Sequence, residues 1–215
     1  MLIFCDFDGT IAQNDVGDML FKTFANWPEC EMLVQQWLRG EISSRECMER
    51  EAVTARLTRE QLDAFCDAQA LTPGFIEFTE FCRQRNWPLL VLSDGLDYYI
   101  QRILLRHGLD LPILANHLEF VSPDRIVTSF PYFEHSCGKC GNCKGYHLRR
   151  LAKPGKKIAY IGDGYSDRCG AQEANLIFAK GDLAKWCEEK LREYFRFENF
   201  ENVLNWLKEG RVQNG

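Results

Sequence analysis

Long hydrophobic runs are missing from this chain. None approaches the ~18 consecutive apolar residues of a transmembrane helix, so no membrane span is expected. Basic charge is also short: Lys and Arg number 26 against 31 Asp and Glu, the net charge is −5, and no basic stripe marks a nucleic-acid surface. The opening residues, MLIFCDFDGT, carry no basic segment and place acids where a secretory leader needs apolar residues, which points to the cytoplasm. Internal repeats, low-complexity tracts and flexible linkers are absent as well. A chain of 215 residues with a 46% apolar share should therefore fold as one soluble domain, or as one domain carrying a modest insertion.

Cysteine, by contrast, is plentiful, with ten residues. Cys5, Cys30, Cys47, Cys66, Cys82, Cys169 and Cys187 are dispersed, several in apolar helical patterns where a reduced thiol acts as a small hydrophobe. Only Cys137, Cys140 and Cys143 cluster. In a cytosolic chain that spacing suggests metal binding or redox chemistry before a disulfide. Zinc wants four ligands, and His135 or Cys169 could complete the set. A reduced glycine-rich loop and a redox switch are the alternatives. His107, His117 and His147 fall in helix or hairpin patterns and read as structural.

MLIFCDF reads as a buried strand, and three later runs resemble it: WPLLVLSDG (87–95), KKIAYIGDG (156–164) and NLIFAKGD (175–182). Helical patterns over 73–87, 96–109, 166–175 and 182–195 alternate with them, which argues for a parallel sheet covered on both faces. Residues 112–133 alternate around a Ser-Pro-Asp turn and predict a β-hairpin. Residues 12–72 hold helical stretches and no convincing strand. The expectation is an α/β core over 1–11 and 73–215, with a helical cap over 12–72 inserted after the first strand.

Asp6 and Asp8 end the first strand with no basic neighbour in sequence, and two such carboxylates would raise each other's pKa. Ser93-Asp94-Gly95 and Gly162-Asp163-Gly164-Tyr165-Ser166-Asp167 end two other strands, where open α/β sheets bind ligands. Carboxylates converging there call for a hard cation, and oxygen-only ligation favours Mg²⁺. Flanking glycines let backbone N–H groups face an anion. Lys144, at the start of a helix, supplies a further positive charge. GDGYSD is not a dinucleotide fingerprint, because Asp167 stands where that motif needs glycine.

DFDGT, Ser93, Lys144 and GDGYSD resemble, in order and across the whole chain, the four motifs of the haloacid dehalogenase-like hydrolases. The resemblance implies a Rossmann-like core whose inserted helical cap is similar to that of the phosphoserine phosphatase branch. CDFDGTIAQND, LSDGLDYYI, the cysteine segment and FAKGDLAKWCEE are similar to the 2-hydroxy-3-keto-5-methylthiopentenyl-1-phosphate phosphatases of methionine salvage. A cysteine-rich segment of this kind also resembles phosphoethanolamine/phosphocholine phosphatases.

By that resemblance Asp6 is the nucleophile, Asp8 the acid–base, and Lys144 a catalytic cation. Thr10, Ser93, Asp94, Gly95 and Asp15 bind substrate. Mg²⁺ is held by Asp6, the Asp8 carbonyl, Asp163 and Asp167, the last alternatively orienting Lys144. The implied activity is a phosphomonoesterase using an aspartyl-phosphate and a small phosphate ester, in a monomer or homodimer. A mutase differs only in water access, and a non-enzymatic metal or redox sensor would be supported by loss of Asp6 or Asp8, both of which are present. Phosphoserine phosphatases carry Glu, Phe and Arg where this chain has Asp15, Ser44 and Glu51, which argues against phosphoserine.

Overall fold

The computed structural model describes residues 1–209. β1 (Leu2–Cys5) leads into α1 (Val16–Phe24), α2 (Trp27–Leu38), α3 (Ser44–Thr54) and α4 (Arg59–Asp67). After them come α5 (Phe75–Gln84), β2 (Leu89–Leu96), α6 (Asp97–Arg106), β3 (Ile113–Ser122) and β4 (Arg125–Ser129). The remaining elements are α7 (Lys144–Leu151), β5 (Ile158–Gly162), α8 (Arg168–Glu173), β6 (Leu176–Ala179), α9 (Gly181–Glu189), β7 (Phe195–Arg196) and α10 (Phe200–Lys208).

The strands form one sheet in the order β4-β3-β2-β1-β5-β6-β7. Every pairing is parallel except the β3–β4 hairpin. β1 is central, and Ile3, Phe4 and Cys5 are buried, as a parallel strand covered on both faces demands. Strand order reverses at β1, so the crevice beyond the carboxyl ends of β1, β2 and β5 is the topological switch point.

All four expected helices are shorter than their patterns, two of them for a visible reason. The helix expected over 182–195 ends at Glu189, and Phe195–Arg196 instead pairs with β6 as an edge strand. There Phe195 packs on Trp206 and Phe178, with ring centroids 4.0 and 5.7 Å away. That burial outweighs the helical propensity of the segment. α8 begins at Arg168 rather than Ser166, because the Asp167 carboxylate accepts from the backbone N–H groups of Asp163 and Gly164 and winds a tight turn first.

Beyond β1 the chain makes a wide turn over Phe7–Ile11, closed by the Ala12 N–H donating to the Phe7 carbonyl. Gly9 has φ 71° and a Cβ there would lie 2.5 Å from Asp163 Oδ2, so this turn needs glycine twice over.

Between residues 12 and 72 the regular elements are α1 to α4, joined by short connections, and an isolated bridge pairs Ala12 with Leu71. Asp15 caps α1 by accepting from the Asp18 N–H at 2.8 Å, and Thr58 and Gln61 form a capping box on α4. Val16, Leu20, Phe21, Ala52, Leu62 and Cys66 from these helices share one apolar cluster with Ile3, Phe7, Val91 and Tyr99. Arg102 of α6 grips Asp67 of α4 with two hydrogen bonds, 2.9 and 2.7 Å. The Ser44 N–H at the start of α3 donates to the Lys139 carbonyl at 2.8 Å. The helices thus roof the crevice and are tied to its rim.

Candidate active site

Asp6 leaves the end of β1 and is 4% exposed. Lys144, fully buried at the start of α7, donates to Asp6 Oδ1 at 2.5 Å and also to Asp167 Oδ1. Burial works against the Lys144 charge, but Asp167 and Asp6 more than offset it and hold the ammonium protonated. Asp6 is pushed well up by burial and by Asp167, with Lys144 pulling the other way.

Asp167 is saturated with donors. Lys144 and the Tyr160 hydroxyl share Oδ1, while the Asp163 and Gly164 N–H groups reach Oδ2 at 2.8 Å each. A carboxylate has about four lone-pair sites, and here all are taken.

Asp8 lies in different surroundings. The Val16 and Gly17 N–H groups at the α1 N-terminus donate to its Oδ1 at 3.0 and 3.2 Å, and Tyr99 and Ser93 hydroxyls to its Oδ2 at 2.7 and 3.2 Å. Burial, then Asp15, lift its pKa to about 7, where a carboxyl group can both give and take a proton near neutrality. The Gly95 N–H donates to Ser93 Oγ at 2.9 Å.

Asp163, beyond β5, accepts from Thr10 Oγ1 at 2.7 Å. Burial and Asp167 raise its pKa to about 6. One oxygen each from Asp6, Asp163 and Asp167 lie within 4.8 Å of one another. One buried lysine among three carboxylates leaves the cluster negative, and oxygen-only donors suit a hard divalent cation. The residues therefore fit Mg²⁺.

A cavity of about 220 Å³ opens above these groups. Its floor includes Asp6, Asp8, Ser93 and Asp163, and its roof Phe21, Val34, Trp37, Met48, Asp18 and Glu51. Trp37 of α2 meets Tyr165 of the loop after β5 edge-on, centroids 5.6 Å apart, and closes one side.

Of the residues singled out in the sequence, Asp6, Asp8, Lys144, Asp163 and Asp167 converge, with Ser93 on Asp8. Thr10 serves Asp163. Asp15 lines the cavity while capping α1. Asp94 is engaged structurally: its carboxylate accepts from Ser44 Oγ at 2.7 Å, the Asn142 N–H at 2.6 Å and the Asn116 amide at 3.2 Å. Tyr99 and Tyr160 were not anticipated, since a tyrosine in an apolar helix or strand pattern reads as core. Asp15, Ser44 and Glu51, the three departures from the phosphoserine phosphatase pattern, all line the cavity.

The family profile of haloacid dehalogenase-like hydrolases matches residues 3–172. The chain is 33% identical over 214 residues to a 2-hydroxy-3-keto-5-methylthiopentenyl-1-phosphate phosphatase of Brevibacillus brevis, covering 97% of this chain and 96% of that one. A Geobacillus kaustophilus protein of the same name is 33% identical over 221 residues, covering 99% and 97%. A phosphoserine phosphatase solved as a phospho-aspartyl intermediate analogue superposes with a TM-score of 0.74 at 20% identity, covering 95% of this chain and 97% of that one. A hydrolase of the same family from Salmonella enterica serovar Typhi gives 0.75 at 20% identity, covering 94% and 69%. That structural likeness shows the fold.

The chain therefore belongs to the haloacid dehalogenase-like hydrolases. Within that family it is a phosphatase, acting on a small phosphate ester. Among the described residues no helix is long and apolar enough to cross a membrane.

Proposed function

We propose that this phosphatase hydrolyses 2-hydroxy-3-keto-5-methylthiopentenyl-1-phosphate, or a close neutral analogue, with Mg²⁺ and through an aspartyl-phosphate. The observation that carries the substrate class is the cavity roof. Phe21, Val34, Trp37 and Met48 offer an apolar wall for a methylthioalkyl tail, and the residues contributed by α1, α2 and α3 include no Arg, Lys or His. A phosphoserine carboxylate would find no cation there. Glu51, kept neutral by burial with a pKa of about 8, can donate a hydrogen bond to a keto or hydroxyl oxygen. The relatives' names point to the same compound.

In this reading an Asp6 oxygen attacks phosphorus while Asp8 gives its proton to the departing alcohol oxygen. The products of this step are the alcohol and phospho-Asp6. Water then attacks phosphorus, Asp8 takes the proton back, and Asp6 is released with inorganic phosphate. Lys144 offsets the negative charge of nucleophile and phosphoryl group, and Asp167 positions Lys144. Ser93 and the Gly95 N–H, neighbours of Asp8, would bind phosphoryl oxygens. Mg²⁺, held by Asp6, Asp163 and the Asp8 carbonyl, would supply the charge that lets a carboxylate approach a phosphate. We further propose that residues 12–72 act as the cap that selects the substrate.

The test is a phosphometabolite panel with Mg²⁺ or EDTA. The methylthiopentenyl ester should give the highest kcat/KM, phosphoserine should be poor, and EDTA should abolish turnover. Phosphocholine and phosphoethanolamine belong in the panel because Asp15 and Asp18 beside Trp37 would also attract a cationic head group. A preference for either would replace the methylthiopentenyl assignment.

A further inference from the structure

Away from the acidic crevice, the Sγ atoms of Cys137, Cys140, Cys143 and Cys169 all lie within 4.8 Å of one another. We propose that these four cysteines hold one structural zinc ion, distinct from the catalytic cation. With Zn–S near ~2.3 Å, the edges of a tetrahedral sulfur cage are about 3.8 Å, and sulfurs all within 4.8 Å of one another, one pair at 3.5 Å, can close to that size. Cys137 and Cys140 Sγ are 3.5 Å apart, too far for a disulfide bond of ~2.05 Å. An iron–sulfur cluster would spread the sulfurs more widely, because inorganic sulfide and several irons stand between them.

The loop is wound tightly around the sulfurs: the Gly138 N–H donates to Ser136 Oγ at 3.0 Å, and the Tyr146 N–H to the Cys143 carbonyl at 3.1 Å. Gly138, with φ 80°, allows the first Cys-x-x-Cys to turn back on itself. His135, the other candidate for fourth ligand, instead stacks on Tyr146 with centroids 5.0 Å apart. Zinc binding would release the thiol protons to solvent.

The ion's place explains what it does. Cys143 precedes Lys144, and Cys169 lies two residues after Asp167, so one cage fixes the chain beside both members of the Lys144–Asp167 pair. Gly145 lets α7 and α8 meet there, since a Cβ at that position would lie 2.7 Å from the Cys169 carbonyl. Between the ligands, the Gly141 N–H donates to Ser44 Oγ and the Asn142 N–H to Asp94 Oδ1, each at 2.6 Å. The same loop thereby links α3, β2 and the ion.

Full-length protein purified under reducing conditions should carry one zinc per chain by elemental analysis, retained without added Mg²⁺ and released when a mercurial titrates the thiols. Cobalt exchange should give thiolate-to-cobalt absorption in the near ultraviolet and the intense visible bands of a tetrahedral ion. Cys140→Ser and Cys169→Ser should lose the zinc, and Cys187→Ser, on α9, should keep it. Folded wild-type protein that neither carries nor takes up zinc would overturn the assignment. So would a weak, octahedral cobalt spectrum, or Cys137–Cys140 found joined in the reduced preparation. None of these readouts uses a substrate, so they stand apart from the phosphatase reading.

Discussion

Asp6 and Asp8 are separated by one residue and differ in almost everything else. Asp6 faces a buried ammonium, while Asp8 faces two hydroxyls and the N-terminus of α1. Asp6→Asn should abolish turnover while leaving the fold intact. Asp8→Asn should lower kcat by ~10²- to 10⁴-fold with KM little changed, the loss expected of a missing proton donor. An unchanged kcat would remove Asp8 from that role. Lys144→Met would leave Asp6 and Asp167 buried without their cation and should cost about 3–5 kcal/mol in urea unfolding. Glu51 gives a pH signature. Burial first, and then Asp18 and Asp15, hold its pKa near 8 against an ordinary 4.5, with Cys47 pulling the other way. Between those values the folded chain keeps a proton that the unfolded chain has lost, so stability falls as pH rises. Glu51→Gln removes that term, and the Tm of the variant relative to the parent should climb steadily from about pH 5 to about pH 8. A constant difference would mean that Glu51 is ionised in the folded protein.

At the scale of elements, the strand ends were legible because apolar runs stopping at Asp-x-Asp-Gly, Ser-Asp-Gly and Gly-Asp-Gly announce both a buried strand and a polar mouth. The acids and Lys144 could be assembled on paper because their order fits a parallel sheet. Tyr99 and Tyr160 could not, since only the packed structure shows which hydroxyl meets which carboxylate. β7 was missed because two residues give no periodicity, and the pull on Phe195 comes from Phe178 and Trp206, distant in sequence or across the sheet. Ser44 was read as a departure from a phosphoserine pattern, and its bridging role emerged only in three dimensions. Its hydroxyl donates to Asp94 and accepts from Gly141, joining α3, β2 and the cysteine loop at a buried point. Ser44→Ala takes the acceptor from the Gly141 N–H and the donor from Asp94 Oδ2, and should cost about 1–3 kcal/mol in chemical denaturation, with KM rising more than kcat falls. A Ser44→Ala protein as stable as the parent would mean the three elements hold together without it.

On the scale of the whole molecule, the helices over 12–72 share their apolar packing with the sheet. Val16, Leu20, Phe21, Leu62 and Cys66 lie in the same apolar cluster as Ile3, Phe7, Val91 and Tyr99, and the Arg102–Asp67 fork ties α4 to α6. A cap that closes over a substrate must therefore move by small shifts of α1, α2 and α3 about fixed attachments, because swinging away would expose the sheet's own core to water. Unfolding should report this directly. Trp37 lies in α2, in the cavity lining, and Trp206 in α10, packed on Phe178 and Phe195. Variants retaining only one or the other as a fluorescent probe should show the same urea midpoint and the same slope, coincident with far-UV circular dichroism, as one cooperative unit requires. An earlier transition at Trp37 would show that the helices over 12–72 melt by themselves. In that case a shortened chain lacking them would fold, and the substrate preference of that shortened form could be measured against the full chain.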